Sequence, residues 1–575
     1  IHAAPRIIRV GRVYAQPCSP SNSLVAGCIS AIWMSRIFVC SILAEVHAVS
    51  PLRSRNFYDD ITSRISGRPG HIEVPIADHG AAVAKALAKA RLTHNLKKTV
   101  VTSSRAHLGK TVIKLLKKRN VPLKVARGAR DLGLDAGGGL RRVTTTQASR
   151  ILKALAKLKR TIGLVRANRV ATRLVKTGAQ PTWAYGVEAY GLTAAAISRL
   201  RAATAKAVAP GGSQNCPIIA IRTAIGADGD PLAVATRASV LWWAETWHLH
   251  PQDRSTFRTV WRTIYPTVVV PGDAEPNWSA VYGPIGTAIA NLHRIGWYTP
   301  HPDWWLDPQG EIWKFENDQS QEGLSALSAA LLTSVTAKLN REASKHRFGE
   351  GIQHGVDLHV LDAHLKKLGR DCEHRREGLL IASTSGGLWR NARVSEAYSD
   401  LPPACHLCGA PWADEIHVYW GCPAVKASGN EAITASEYLE AIAEKDISEG
   451  RNFCLWARGL PPSSLYPKLP HCTEQVTTVG SAQAVAEATR LATDGSGGKG
   501  KTSQDPRLRR CGAGIATCAY VDTPLGHLPI VTSGTFATIE GAQTVPRAEL
   551  TAVCLALEAN RSPPPYHSGR CLLYH

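Results

Sequence analysis

The chain has 575 residues, 44% of them hydrophobic, which is enough for several cored domains and excludes wholesale disorder. Lysine and arginine number 68 against 45 acids, for a net charge of +23. Residues 85–176 hold 25 basic residues and two acids, Asp131 and Asp135, so this segment carries the whole surplus and the remainder balances at 43 of each sign. A block of that sign is an electrostatic footprint for phosphate backbones, with an anionic membrane surface as the competing partner.

In chain order, residues 23–49 are largely apolar, but Arg36 and Glu45 interrupt them. A membrane span needs about 20 predominantly apolar residues, so a buried helix is expected. Arg55-Asn-Phe-Tyr-Asp-Asp-Ile-Thr62 suits a hairpin that presents Asp59 and Asp60 at its turn. Taken alone, that pair equally suits a solvated turn or a helix cap. Residues 81–92 read as a helix, and 92–104 as a turn carrying Lys97 and Lys98 into a β-branched strand.

This order resembles the palm of reverse transcriptases of the non-LTR (LINE-type) retrotransposon class. In that resemblance Ser23-Leu-Val-Ala-Gly-Cys28 lines the templating pocket and Tyr58-Asp59-Asp60 is the metal-binding hairpin. Asn95-Leu-Lys-Lys-Thr99 is the lysine-bearing turn and strand, and Asp131-Leu-Gly133 is the primer-gripping hairpin. The resemblance implies Mg²⁺ on Asp59 and Asp60, an RNA template, a DNA primer and no small-molecule substrate other than nucleotides. The family's first metal-binding aspartate belongs upstream of the pocket segment, where residues 1–22 hold no acid.

Residues 144–176 read as a thumb. Thr145 or Thr146 is expected to cap a helix with Ile151, Leu155, Leu158 and Ile162 on one face and Lys153, Lys157 and Arg160 around the other. Beside a palm, such a basic face tracks the phosphates of a duplex. Trp183-Ala-Tyr-Gly-Val-Glu-Ala-Tyr-Gly191 begins a further helical unit that fits the same pattern. Helices follow at about 193–209, 233–250 and 322–342. Trp242, Trp243, Trp247, Trp261, Trp297, Trp304 and Trp305 could stack bases, but aromatics dominate burial, and the core reading is preferred.

Cys405-His-Leu-Cys408 with His417 and Cys422 has the form C-x2-C-x8-H-x4-C. A turn supplies the two close thiolates and a short helix the other pair, matching a structural, tetrahedral Zn²⁺ site, with His406 as a rival ligand. It resembles the cysteine–histidine motif that follows the polymerase in non-LTR elements. The remaining cysteines, in a chain with no secretory signal, read as reduced thiols. An intracellular, nuclear and non-secreted protein is therefore expected.

After a turn-rich linker over 460–485, Leu491-Ala-Thr-Asp494 reads as a strand ending in an aspartate where Gly495, Gly497 and Gly498 break the pattern. Cys511-Gly-Ala-Gly-Ile-Ala-Thr-Cys-Ala-Tyr520 is a second strand. Gly541-Ala-Gln-Thr-Val-Pro-Arg-Ala-Glu-Leu550 opens a helix with Glu549 in its first turn and Leu550, Val553 and Leu557 on one face. Asp494-Gly495 could be only a turn, and Glu549 only an acid favoured by the helix dipole. Carboxylates delivered from a strand and a helix can instead share two divalent ions about 3.5–4 Å apart. The order resembles the type 1 ribonuclease H domain, which implies cleavage of RNA in RNA–DNA hybrids with Asp494 and Glu549 as Mg²⁺ ligands. That family needs two further acids downstream. With the sequence ending at His575, lacking an initiating Met and having Met34 as its single methionine, a fragment with an inactive ribonuclease domain is expected.

The expected fold is α/β multidomain. It comprises a partial palm (1–140), a thumb-like basic helical region (141–210), a helical connection (211–400), a zinc motif (401–426), a linker (460–485) and a truncated ribonuclease H-like domain (486–575). Two alternatives stand beside this retroelement reading. One is a decayed, non-catalytic nucleic-acid-binding protein, and the other a stand-alone ribonuclease H with an unrelated basic N-terminal region.

Overall fold

The computed structural model describes residues 9–10, 13–14, 16, 29–57, 60–139, 142–210, 215–315, 321–466, 476–488, 490–499, 509–523, 526–541 and 543–559. The chain is mixed α/β, mostly helical with small sheets, and forms two compact units, residues 1–339 and 340–575. The segment 23–28 and Asp59 lie outside the described residues.

The first unit opens with a short antiparallel pair, β1 (Arg9–Val10) and β2 (Val13–Tyr14). Helix α1 (Ile29–Val49) buries Val39, Ile42, Leu43 and Val46, an i, i+3, i+4, i+7 stripe, and leaves Trp33, Ile37 and Phe38 exposed. Among the described residues no helix is long and apolar enough to cross a membrane. The expected hairpin is present. Strands β3 (Ser54–Phe57) and β4 (Asp60–Ser63) pair antiparallel with Phe57 opposite Asp60.

Helix α2 (Glu73–Lys89) packs on α3 (Ala106–Lys118) through Ala77, Val112, Leu116 and Val121. Helix α3 joins two parallel strands, β5 (Val100–Thr102) and β6 (Lys124–Ala126), as a parallel pair requires. The turn before β5 is shaped by Asn95, whose side chain accepts from the Lys98 amide at 3.2 Å, and Lys97 and Lys98 stay exposed. Strands β7 (Gly128–Asp131) and β8 (Leu134–Gly137) form a second hairpin. Its two-residue turn has Leu132 at φ 47° and Gly133 at φ 77°, the double positive φ that suits the twist of paired strands.

Helix α4 (Thr145–Ala167) runs where the thumb helix is expected, but neither threonine caps it. The carboxylate of Asp135, on β8, accepts from the Thr146 amide at 2.8 and 2.9 Å and from the Gln147 amide at 3.1 Å. A full negative charge satisfies the first-turn amides and the helix dipole together, so it displaces a hydroxyl cap. The buried face is Ile151, Ala154, Leu158, Thr161 and Val165, with Leu155 and Ile162 half-buried beside it.

The rest of the unit is helical. It comprises α5 (Gln180–Ala184), α6 (Val187–Tyr190), α7 (Ala194–Val208), α8 (Pro217–Ile225), α9 (Pro231–Leu249), α10 (Arg254–Val268) and α11 (Gly283–Arg294). A small hairpin, β9 (Trp304–Leu306) and β10 (Ile312–Lys314), and α12 (Gln321–Ala343) follow. The expected helices thus fall at α7, α9 and α12. Trp243, Trp247, Trp261 and Trp305 are fully buried. Their indole N–H groups donate to the carbonyls of Pro302, Phe315, Thr299 and His301 at 3.0–3.1 Å. These rings are core, as read from the sequence; Trp242 is partly exposed.

In the second unit, α13 (His359–Arg370), α14 (His374–Thr384) and α15 (Asn391–Ala397) precede the cysteine motif. Four short helices follow: α16 (Pro423–Lys426), α17 (Glu431–Thr434), α18 (Glu440–Ser448) and α19 (Phe453–Arg458). Part of the expected linker is structured, as β11 (Val476–Val479) and α20 (Ala482–Ala486). Strand β11 is an edge strand of an antiparallel sheet ordered β11-β14-β13-β12, built with β12 (Ala492–Lys499), β13 (Arg510–Thr523) and β14 (Gly526–Thr538).

Helix α21 (Val545–Ala559) covers β12 and β13. It does so through Ala548, Ala552 and Leu555, not through the expected stripe. Leu550, Val553 and Leu557 are exposed, at 64, 41 and 71%. The backbones approach closely at Gly495, where Ala548 fits, and Leu555 packs farther along the helix.

Candidate metal centre

The four residues Cys405, Cys408, His417 and Cys422 come together with their ligand atoms all within 4.8 Å of one another, and they could hold a metal ion. Cys405 Sγ lies 3.9 Å from Cys422 Sγ, and Cys408 Sγ lies 3.3 Å from His417 Nε2. A tetrahedron with metal–sulfur bonds of about 2.3 Å has edges of about 3.8 Å, close to these separations. The first two ligands come from a turn closed by the Gly409 amide on the Cys405 carbonyl, with Gly409 at φ 74°. His417 opens a π-helical turn over His417–Gly421, the wide single turn that recurs at functional positions, and Cys422 follows it directly. His406, the rival ligand, is exposed and outside the cluster.

The electrostatics suit a cation. The amides of Leu407 and Cys408 pull the Cys405 thiol down to about 6. Cys408 feels the lowering amide of Ala410 but ends above the ordinary thiol value, because burial and the neighbouring thiols outweigh it. Neighbouring thiolates repel one another, and a divalent ion between them removes that conflict.

Two other carboxylate sites were expected. At the sheet, β12 does not end at Asp494 but continues to Lys499, pairing Asp494 with Gly514 and Gly495 with Ala513. The glycine marks a crossing of backbones. A Cβ on Gly495 would lie 2.3 Å from the Glu549 amide nitrogen, so α21 rests on the strand beside Asp494 at Glu549, which the helix start at Val545 places beyond the first turn where it was expected. Asp494 and Glu549 are both exposed. Gln543, buried within the motif, accepts from the Cys511 amide at 2.9 Å and donates to the Ile539 and Gly541 carbonyls. It thereby ties the lead-in of α21 to β13. Gly495→Ala is expected to destabilise the sheet by about 1–3 kcal/mol or more through overpacking, read as a lower urea midpoint for this unit. An unchanged midpoint would mean that the helix does not rest there.

In the first unit, Asp60 lies exposed on β4, and Thr62 on the same face donates to Asp131 at 3.2 Å. The two hairpins are therefore joined at their exposed sides. Beneath β3–β4 lies a polar cluster with no sequence signal beyond scattered Ser and His. His79 is fully buried, its Nε2 2.7 Å from Ser54 Oγ and its Nδ1 2.8 Å from Ser50 Oγ. Ser54 Oγ bonds Ser63 Oγ at 2.7 Å across the open end of the hairpin, and the Ser54 amide donates to His47 Nε2 at 3.0 Å.

Burial, and then the neighbouring His47, hold His79 below the ordinary histidine pKa. The unfolded chain therefore takes up the proton first as pH falls. Stability conferred by neutral His79 is complete above about pH 6.5 and declines through the lowered folded pKa. His79→Phe should flatten that part of the urea-unfolding profile between about pH 5 and 7.5. Identical slopes in the two proteins would remove His79 as the cause.

Of the expected nucleic-acid contacts, Lys97, Lys98, Lys153, Lys157 and Arg160 are all exposed. Lys157 is partly committed within the fold, donating to Thr182 Oγ1 at 2.8 Å and to the Gly178 carbonyl at 3.2 Å. The described cysteines are free thiols. No family model, curated protein or solved structure matches the chain.

Proposed function

We propose that the chain is a nucleic-acid-handling enzyme fragment of the retroelement type. In this reading, a ribonuclease H-like sheet and helix follow a partial RNA-directed DNA polymerase. The observation that carries it is the contact of Gly495 with the Glu549 backbone, which brings the strand carrying Asp494 against the segment of α21 carrying Glu549. That arrangement suits Mg²⁺ held by Asp494 and Glu549 against the RNA strand of an RNA–DNA hybrid. Support from the first unit is the joining of the Asp60 hairpin to the Asp131 hairpin, next to a helix with an exposed basic face. The polymerase half would take an RNA template, a DNA primer and nucleotides, with Asp59 and Asp60 as Mg²⁺ ligands. The Cys₃His cluster takes Zn²⁺ as a structural ion, since its three thiolates and one imidazole leave no open position for catalysis.

The test is hybrid binding with and without Mg²⁺. The unaltered chain should bind an RNA–DNA hybrid more tightly when Mg²⁺ is present, and Asp494→Asn and Glu549→Gln should each abolish that increment. Metal-independent binding identical in all three proteins would sink the ribonuclease-like reading. A second reading, binding without cleavage, is favoured by one observation. Among the described residues, the only grouping of three or more potential ligands is the Cys₃His cluster, so no third acid joins Asp494 and Glu549. Hybrid cleavage by the unaltered chain, lost in Asp494→Asn, would exclude that second reading.

A further inference from the structure

The hairpin β3–β4 presents mostly polar side chains to the helices beneath it. Its inward-facing positions are Ser54, Asn56, Ile61 and Ser63, none of them fully buried, and Phe57 is 55% exposed. A two-stranded hairpin is at best marginally stable by itself in water, so its attachment decides whether it stays in place. Two imidazoles fasten it. His79 on α2 meets Ser54 Oγ through Nε2 at 2.7 Å and Ser50 Oγ, just past α1, through Nδ1 at 2.8 Å. His47 on α1 accepts the Ser54 amide at its Nε2, 3.0 Å away, and Ser54 in turn bonds Ser63 across the strands at 2.7 Å. The helices are held differently. Ala77, Val112 and Leu116 pack between α2 and α3, and Ile42, Leu43 and Val46 are buried along α1.

The attachment requires neutral rings. Nε2 of His47 accepts an amide proton, so it carries a lone pair there; a protonated His47 would set N–H against N–H. His79 is fully buried and stacks on His47 with ring centres 6.3 Å apart and planes at 16°, so a charge on either ring is set against the other. The carboxylates nearby are engaged elsewhere. Glu45 on α1 pairs with Lys89 at 2.9 Å, and Asp78 on α2 with Arg119 of α3 at 2.6 Å. Glu73 accepts from the Gly70 amide at 2.8 Å, with His107 of α3 near it. Arg53, Arg55 and Asp60, on and beside the hairpin, are exposed. Burial, and then His47, hold His79 below the ordinary histidine value. Detachment of the hairpin uncovers the ring and restores that value, so the open form takes up protons more readily. The attachment is therefore complete above about pH 6.5 and weakens as pH falls through the lowered pKa.

We propose that His79 and His47 form an acid-sensitive latch, from which the hairpin β3–β4 detaches as a unit when an imidazole takes a proton, while α1, α2 and α3 stay packed. The strand that leaves carries Asp60, and Thr62 gives up its bond to Asp131 as it goes. The device lies in the fold itself and operates with or without nucleic acid.

The experiment follows amide exchange in the full chain, with each rate divided by its intrinsic value so that only opening is read. Between about pH 7.5 and 5.5, protection of the β3 and β4 amides should fall by roughly 3- to 10-fold, the upper figure being the ceiling for one ordinary imidazole over that interval. Amides of α2 and α3 should hold within about twofold. His79→Gln keeps a donor and an acceptor but does not titrate, and it should remove the pH response of the hairpin. Hairpin protection that does not change with pH in the unaltered chain overturns the latch, and this comparison needs no variant to fold. An equal fall in the hairpin and in α2 and α3 also overturns it, because the opening is then global. A full pH response persisting in His79→Gln overturns the role of His79.

Discussion

Removing the proposed zinc ion from the purified chain is expected to loosen much more than the Cys405–Cys422 loop. Between the ligands His417 and Cys422, the side chains of Tyr419 and Trp420 leave the metal loop and dock elsewhere in the second unit. The Tyr419 hydroxyl bonds Ser383 on α14 at 3.0 Å. The Trp420 indole donates to the Trp456 carbonyl on α19 at 2.9 Å, with the two rings edge-to-face at 5.3 Å. Two further hydrogen bonds tie the start of α15 to this region, as the Ala392 amide donates to the Ala413 carbonyl at 3.1 Å and the Asn391 side chain donates to the Ala404 carbonyl at 2.6 Å. When the ion leaves, adjacent thiolates repel and the π-helical turn loses both of its anchors.

Structural zinc contributes about 10–16 kcal/mol of apparent binding free energy in small zinc-finger peptides, and that energy is folding energy. Chelation or Cys408→Ser should therefore lower the melting temperature of this unit and shift the emission of Trp420 and Trp456 to the red. Elemental analysis should find one zinc per unaltered chain and none in the variant. A metal-free chain with three titratable thiols and an unshifted melt would sink the proposal. Acid should release the ion too, because protons compete for all four ligands.

The second large effect expected is electrostatic. Reversing Lys153, Lys157 and Arg160 to Glu on α4 should weaken duplex binding by about 10- to 1,000-fold at low salt, and reduce the slope of log K against log salt by about 2 to 3. Each neutralised phosphate contributes about 0.9 to that slope. The shares should be unequal. Lys157 already donates to Thr182 and Gly178, so its single reversal should cost less affinity and more stability than Lys153 or Arg160. A triple variant whose salt dependence matches the unaltered chain would mean that the charge block binds through another face. Lys97 and Lys98, exposed on the turn before β5, are the next pair to test.

The features legible in the sequence are those whose cause is local. An aromatic pair followed by two aspartates and a β-branched residue marked the hairpin within 55–62, and helical spacing marked α4, α7, α9 and α12. Ligand spacing alone brought Cys405, Cys408, His417 and Cys422 to one point. The charge block at 85–176 needed only counting. What the tertiary structure decided is which partner arrives at each element, because burial and capping depend on groups distant in the chain. An apolar stripe of Leu550, Val553 and Leu557 fits helical periodicity, yet the face that meets the sheet is Ala548, Ala552 and Leu555. Periodicity does not encode how closely two backbones approach, and at Gly495 they nearly touch. The cap position falls on Thr144, not on Thr145 or Thr146, and Asp135 arrives from a neighbouring hairpin with a full charge and takes the first-turn amides. His79 reads as one histidine among alanines until α2 is packed under β3 and β4. Its two ring nitrogens then meet Ser50 and Ser54, because a buried polar group must find partners wherever the fold brings them.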